Sequence, residues 1–499
     1  MKSFITILLL SPLLLSAQLR VGSIFSDNMV LQHGKPICIF GKANPKQLVA
    51  VTFNGETKSN LVQSDSNWIV VFKKQSISKL PQSLKIESGL QEIRFENIII
   101  GDVWLCIGQS NMEFPMTREL HFKDEKNNSN FPLIRFYNPT YAGKNTYNIA
   151  FSDSIVKKLN AKEFYEGQWQ ICDSLTFKNM SAVAYYFGKS IFTNTDIPIG
   201  LINLSIGGAP LETFISNQAL KNSNQFSNKV SGNWLTNSSL PIWVRERGSQ
   251  NIGSLSSVLK DDFGKFHSYK PGFAYDAGLT SLIQFPIKGI ICYQGESNAQ
   301  ELDRVYEYAA LTQLMISNFR NKWKEPKLPY YFVQLSSKDT LKYKSEFWPQ
   351  FRDQQRLIMD LVSNTGMAVS SDLGFKNDVH PTNKKEVGIR LANWALNKNY
   401  KIKIIPSGPL PIKATYRNGN VVISFNYLSK GLLTSDGLAL RGFSLDGIND
   451  SVATIEHETV LIKSKTRPEY VYYGWKPFTD ANLINSEYLP TSTFKIPVL

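Results

Sequence analysis

The chain carries a serine in Gly108-Gln109-Ser110-Asn111, directly after the apolar run Val103-Trp104-Leu105-Cys106-Ile107. That position delivers a hydroxyl where a buried strand leaves its sheet. A serine that attacks an ester needs a base to take its proton, donors for the oxyanion and a group that orients the base. Three later stretches offer those parts: Gly207-Gly208, Gly295-Glu296-Ser297-Asn298 and Asp378-Val379-His380-Pro381. Ser110 is the candidate nucleophile, and its own N–H is a first oxyanion donor. His380, one of five histidines, stands just ahead of an expected helix and is the best base in the chain. His33, His121, His267 and His457 have no comparable surroundings. Gly207 and Gly208 lack side chains and can bring a backbone N–H close to substrate, and Asn298 can add a side-chain amide. Gln109, Gly207 and Glu296 adjoin these groups and are expected to contact substrate. The spacing is not the Gly-x-Ser-x-Gly elbow. With no HExxH or other metal spacing, no metal and no cofactor is expected.

These residues need a scaffold of strands and helices. From residue 101 onward, strands are expected at 103–107, 199–204, 287–293, 330–335 and 367–370. Helical patterns lie between them at 183–193, 305–323, 351–362 and 383–397. Such alternation implies a parallel sheet covered by helices on both faces, with the site at the carboxyl ends of the strands. Residues 18–100 read instead as short alternating or β-branched runs separated by turns, a small β domain of sandwich type. After Pro406-Ser407-Gly408-Pro409 the β texture returns through residue 499, with a hairpin turn at Arg417-Asn418-Gly419-Asn420. The division expected is therefore a β domain at 18–100, an α/β domain at 101–405 and a β region at 406–499. Inside the α/β domain, a segment at about 212–275 is too long for an ordinary connection. It carries Trp234, Trp243, Arg245 and Arg247, and reads equally as a subdomain packing its own aromatics or as a sugar platform over the site.

Residues 1–17 combine Lys2, an apolar stretch from Phe4 to Leu15 and the small pair Ser16-Ala17. That is the pattern of a secretory signal cleaved near Ala17, so the mature protein is expected to be secreted or periplasmic, with no membrane span. The net charge of +14 comes from dispersed lysines. It describes a solvated surface suited to acidic glycans rather than a nucleic-acid footprint. The four cysteines are scattered, and no structural disulfide is expected.

Gly-Gln-Ser-Asn-Met, the Gly-Gly after the next strand, Gln-Gly-Glu-Ser-Asn and Asp-Val-His-Pro, in that order, resemble the SGNH hydrolases and within them the sialate O-acetylesterase family. The likeness extends to Phe25-Ser26-Asp27-Asn28-Met29-Val30-Leu31-Gln32 and to Ala481-Asn482-Leu483 with Leu489-Pro490, nearly the whole mature chain. The resemblance implies an SGNH-type three-layer α/β/α domain flanked by β-sandwich-like regions. It also implies an acetyl-enzyme mechanism on an O-acetylated glycan: Ser110 as nucleophile, His380 as general base, and Ser110 N–H, Gly208 N–H and Asn298 as oxyanion hole. Many SGNH enzymes place an aspartate three residues before the histidine, where this chain has Asn377. Asp378 is the expected orienting acid and Asp372 its substitute. An esterase for acetylated xylan or pectin shares the same motifs, and a non-catalytic glycan-binding protein is the rival from another class. The motifs do not speak to oligomeric state.

Overall fold

The structure is a computed structural model that describes residues 18–341 and 343–499; the expected leader at 1–17 lies outside the described residues. At its centre is a sheet whose strands we label β1 (Gln91–Gly108), β2 (Phe131–Tyr137), β3 (Trp169–Cys172), β4 (Ile199–Asn203), β5 (Gly289–Tyr293), β6 (Tyr330–Gln334) and β7 (Thr365–Val369). They run in the order β3-β2-β4-β1-β5-β6-β7. All neighbours are parallel except β2 and β3. Every residue of β4, β5, β6 and β7 is buried, so both faces of the sheet are covered, as a parallel sheet requires.

Four long helices do the covering: α1 (Ala182–Thr195), α2 (Leu302–Trp323), α3 (Trp348–Leu361) and α4 (Lys384–Lys398). α1 packs against α4, and α2 against α3. Their starts follow ordinary capping chemistry. The Ser181 hydroxyl accepts from the Ala184 N–H at 3.1 Å, and the Asn383 side chain accepts from the Glu386 N–H at 3.2 Å. The second cap fixes where α4 begins, four residues after His380.

β1 is 18 residues long and does two jobs. Its first half pairs antiparallel with Ser78–Ser88 in the N-terminal β region. Its second half is the middle strand of the central sheet and ends at Gly108. A single strand thus crosses the border expected at residues 100 and 101. In keeping with this, one continuous apolar cluster reaches from Leu19 to Leu410. A second cluster, from Ala414 to Val498, belongs to the C-terminal β region. There a four-stranded and a three-stranded antiparallel sheet supply the sandwich-like layers. That region is tied back by Arg352 of α3, whose fully buried guanidinium donates to the carbonyls of Gly474 at 2.9 Å, Lys476 at 2.6 Å and Pro477 at 3.2 Å. No helix among the described residues is long and apolar enough to cross a membrane, and all four cysteines are free thiols.

Gly108 decides how the serine leaves the sheet. Its φ is +138°, and a Cβ there would sit 2.1 Å from the Tyr293 carbonyl oxygen on β5. Gly108→Ala is expected to lower the unfolding free energy by about 2–4 kcal/mol, read from urea denaturation; unchanged stability would contradict this close approach.

Candidate active site

Beyond Gly108 the chain turns at once into a single helical turn, Ser110–Glu113. The Gln109 N–H is still held in sheet register by the Tyr293 carbonyl at 3.0 Å. Ser110 is therefore the first residue free of the sheet and stands at the carboxyl edge of its middle strand. His380 comes from the loop between β7 and α4, and its Nε2 lies 2.7 Å from Ser110 Oγ. The two loops hold each other through the residues next in line: the Asn111 side-chain amide donates to the Val379 carbonyl at 3.0 Å.

Asp378 stands on the far nitrogen of the ring. Its Oδ1 is 3.5 Å from His380 Nδ1, long for a hydrogen bond, and accepts the His380 backbone N–H at 2.8 Å. The alternative acid is engaged elsewhere: the Asp372 oxygens each accept from the Arg390 guanidinium at 2.7 Å. Of the two, only Asp378 faces His380.

The glycine pair separates into two roles. The Gly207 N–H donates to the Tyr141 hydroxyl at 3.0 Å, and the Gly207 carbonyl accepts from the Tyr269 hydroxyl at 2.7 Å. Gly208, with φ of +75°, lines the same cavity as Ser110. Neither the Ser110 N–H nor the Gly208 N–H has a protein acceptor among the described residues. Asn298 is brought elsewhere. It is fully buried away from the cavity, its amide donates to Glu212 at 2.9 Å, and its oxygen accepts from the Leu211 N–H at 3.1 Å.

Beneath the serine lies a buried polar chain that the motifs alone did not single out. The Lys384 ammonium donates to the Asn111 oxygen, and the Asn111 amide donates to Glu296 Oε1. Burial pushes the Glu296 carboxyl up to about 7, against the pull of Asn111 and Lys384, and pushes the Lys384 ammonium down to about 7. His380 is pushed down to about 4, by burial first and by the neighbouring Lys384 charge second, while Asp378 pulls the other way. The imidazole is thus neutral at ordinary pH and able to accept a proton from Ser110.

Ser110, His380, Gln109, Gly208 and Glu296 face one cavity of about 790 Å³. Its outer wall comes from the long insertion and from loops after β2. Arg247 lies with its guanidinium carbon 5.3 Å from the Tyr147 ring centre and 5.1 Å from that of Trp243. Its Nε and Nη1 are buried without a hydrogen-bond partner. Arg118, 4.7 Å from the Phe114 ring centre, is a second cation of the wall. Trp234, by contrast, is buried in the insertion and donates to the Lys265 carbonyl at 2.8 Å. The insertion both packs its own aromatics and walls the cavity.

Residues 274–397 match the family described as carbohydrate esterase, sialic acid-specific acetylesterase. Sialate O-acetylesterase from Pongo abelii is 29% identical over 428 residues, which is 79% of this chain and 74% of that protein. The Homo sapiens sialate O-acetylesterase is 28% identical over the same shares of the two chains. Among solved structures, a carbohydrate acetylesterase from Xanthomonas citri superposes with a TM-score of 0.78 at 25% identity, covering 96% of this chain and 99% of that one. The chain is thus similar to sialate O-acetylesterases over about four fifths of its length and shares the fold of a carbohydrate acetylesterase.

Ser110 and His380 lie within hydrogen-bond distance, Asp378 stands on the far side of the ring, and Gly208, Gln109 and Glu296 border the same cavity. Gly207 supports its neighbour from behind. Asn111 and Lys384 were missed. Asn111 sat in the serine tetrapeptide, but nothing local showed that its side chain would reach residue 379. Because His380 is held neutral, kcat/KM on an uncharged acetyl ester should stay level as pH falls through about 6 and decline only through about 4. Lys384→Met removes a cation beside the ring and should move that decline upward. An acid limb near the ordinary histidine value of about 6.5 in the unmodified enzyme would contradict the assignment of His380 as a desolvated base.

Proposed function

We propose that this protein is a carbohydrate O-acetylesterase that works through an acetyl-enzyme on Ser110. The observation that carries the reading is the 2.7 Å contact between Ser110 Oγ and His380 Nε2, beside two backbone N–H groups left without acceptors. Ser110 Oγ attacks the acetyl carbonyl carbon while its proton passes to His380 Nε2. The carbonyl electron pair moves onto oxygen, where the Ser110 and Gly208 N–H groups receive it. The C–O bond to the sugar breaks, and His380 returns the proton to the sugar oxygen. A water then repeats the sequence on the acetyl-enzyme, releasing acetate and restoring the serine. Asp378 orients the imidazole and stabilises its charged form.

The finer part of the reading concerns the sugar and the place of action. An acidic glycan such as a sialoside suits a wall that carries Arg118 and the unpaired Arg247 between two aromatic rings. The relatives named sialate O-acetylesterase point the same way. Export, with the first 17 residues as a cleaved leader, agrees with a glycan substrate. Acetate release from a panel of O-acetylated sialosides, xylans and pectins is expected to be fastest on the sialosides. Ser110→Ala is expected to reduce it by at least about 10⁴-fold. Equal rates for Ser110→Ala and wild type would end the mechanism; preference for neutral xylans would move the substrate to plant polysaccharides.

A further inference from the structure

We infer that the third oxyanion donor is the side-chain amide of Gln109, not that of Asn298. The inference deepens the esterase reading and rests on it. Amide oxygen and nitrogen are distinguished by what faces them, and here the neighbours leave no choice. The Gln109 side-chain carbonyl receives the backbone N–H of Ser297 at 3.2 Å, the backbone N–H of Gly295 at 3.3 Å and the Gln294 side-chain amide at 3.3 Å. Backbone N–H groups only donate, so the atom against them is the oxygen. The Gln109 nitrogen therefore points away from that cluster. It has no acceptor among the described residues, although Gln109 is only 3% exposed and lines the cavity beside Ser110 and Gly208.

Asn298 is placed the opposite way. Its oxygen faces the Leu211 N–H and the Gln294 amide, its nitrogen faces the Glu212 carboxylate, and none of it is exposed. Asn298 thus braces the loops after β4 and β5, while an amide donor remains unspent one residue before the nucleophile. When Ser110 Oγ bonds to the acetyl carbon and the carbonyl π pair moves to oxygen, three donors are then available: two backbone N–H groups and the Gln109 amide.

The test uses the full-length enzyme and two substitutions, with Ser110→Ala alongside. Gln109→Glu keeps an acceptor for Gly295, Ser297 and Gln294 but replaces the donor with an oxygen; Gln109→Met removes the donor without adding charge. Both should lose about 100-fold or more in kcat, with KM on an acetyl ester changed by less than about threefold, the pattern of a group used only in the transition state. An alkylboronic acid, which forms a tetrahedral adduct on the serine, should lose affinity by a comparable factor. In unmutated enzyme the Gln109 side-chain amide proton should move downfield on boronate binding, a readout that survives even where a variant fails to fold. If wild type releases acetate, Ser110→Ala is inactive and both Gln109 variants keep kcat within about fivefold, the inference is overturned. Loss of rate in Asn298→Ala beside an unimpaired Gln109→Glu overturns it too. A fully active Ser110→Ala would instead defeat the esterase mechanism itself.

Discussion

A hydrogen bond between side chains 270 positions apart in the chain, Ser110 Oγ to His380 Nε2, is what the rest of the architecture serves. Neither residue is held by its neighbours in sequence alone. Ser110 is fixed because β1 pairs with β4 as far as Cys106 and with β5 up to its last residue, and because Gly108 lets the backbone turn against the Tyr293 carbonyl. His380 is placed by the loop that joins β7, ending at Val369, to α4, beginning at Lys384. Asn111 then joins the two loops directly. A parallel sheet supplies this geometry cheaply, since all its strands end on the same side.

Electrostatics follows from the same burial. A lysine and a glutamate placed under the serine, linked through Asn111, would each carry a large desolvation cost as isolated charges. Burial shifts the two groups in opposite directions, the carboxyl up and the ammonium down. The Lys384 charge also keeps a proton off His380. Above this layer the cavity wall is of another kind, aromatic rings interleaved with arginine and lysine from loops and from the insertion. The Ser110–His380 pair thus sits at the carboxyl end of the sheet, and the outer wall of the cavity comes from loops and from the insertion.

Much of this was readable from residue order. The strands 103–107, 199–204, 287–293, 330–335 and 367–370 stood out as predominantly apolar stretches, because parallel strands buried on both faces carry few polar side chains. Two strands of the same sheet, Phe131–Tyr137 and Trp169–Cys172, did not. The first contains Pro132 and Arg135, and the second has only four residues; both lie toward one edge, where burial imposes less pattern. The border between the first two regions was blurred for a related reason, since the polar, alternating start of β1 and its apolar end are one continuous strand.

Within the site, a motif supplies residue types but not side-chain directions. Gln109 and Asn298 both carry amides beside glycine turns, and only the loop packing shows that the Asn298 nitrogen is taken by Glu212 while backbone N–H groups take only the Gln109 oxygen. Asp378 was the expected acid with Asp372 as its substitute, and the structure engages Asp372 with Arg390 instead. The account's central claim, that Ser110 is made nucleophilic by His380, is tested most directly by labelling with a small fluorophosphonate and mapping the adduct by mass spectrometry. The adduct should sit on Ser110, and its rate of formation should collapse in His380→Ala while the fold is kept. Labelling at another residue, or labelling of Ser110 at an undiminished rate without His380, would contradict the account.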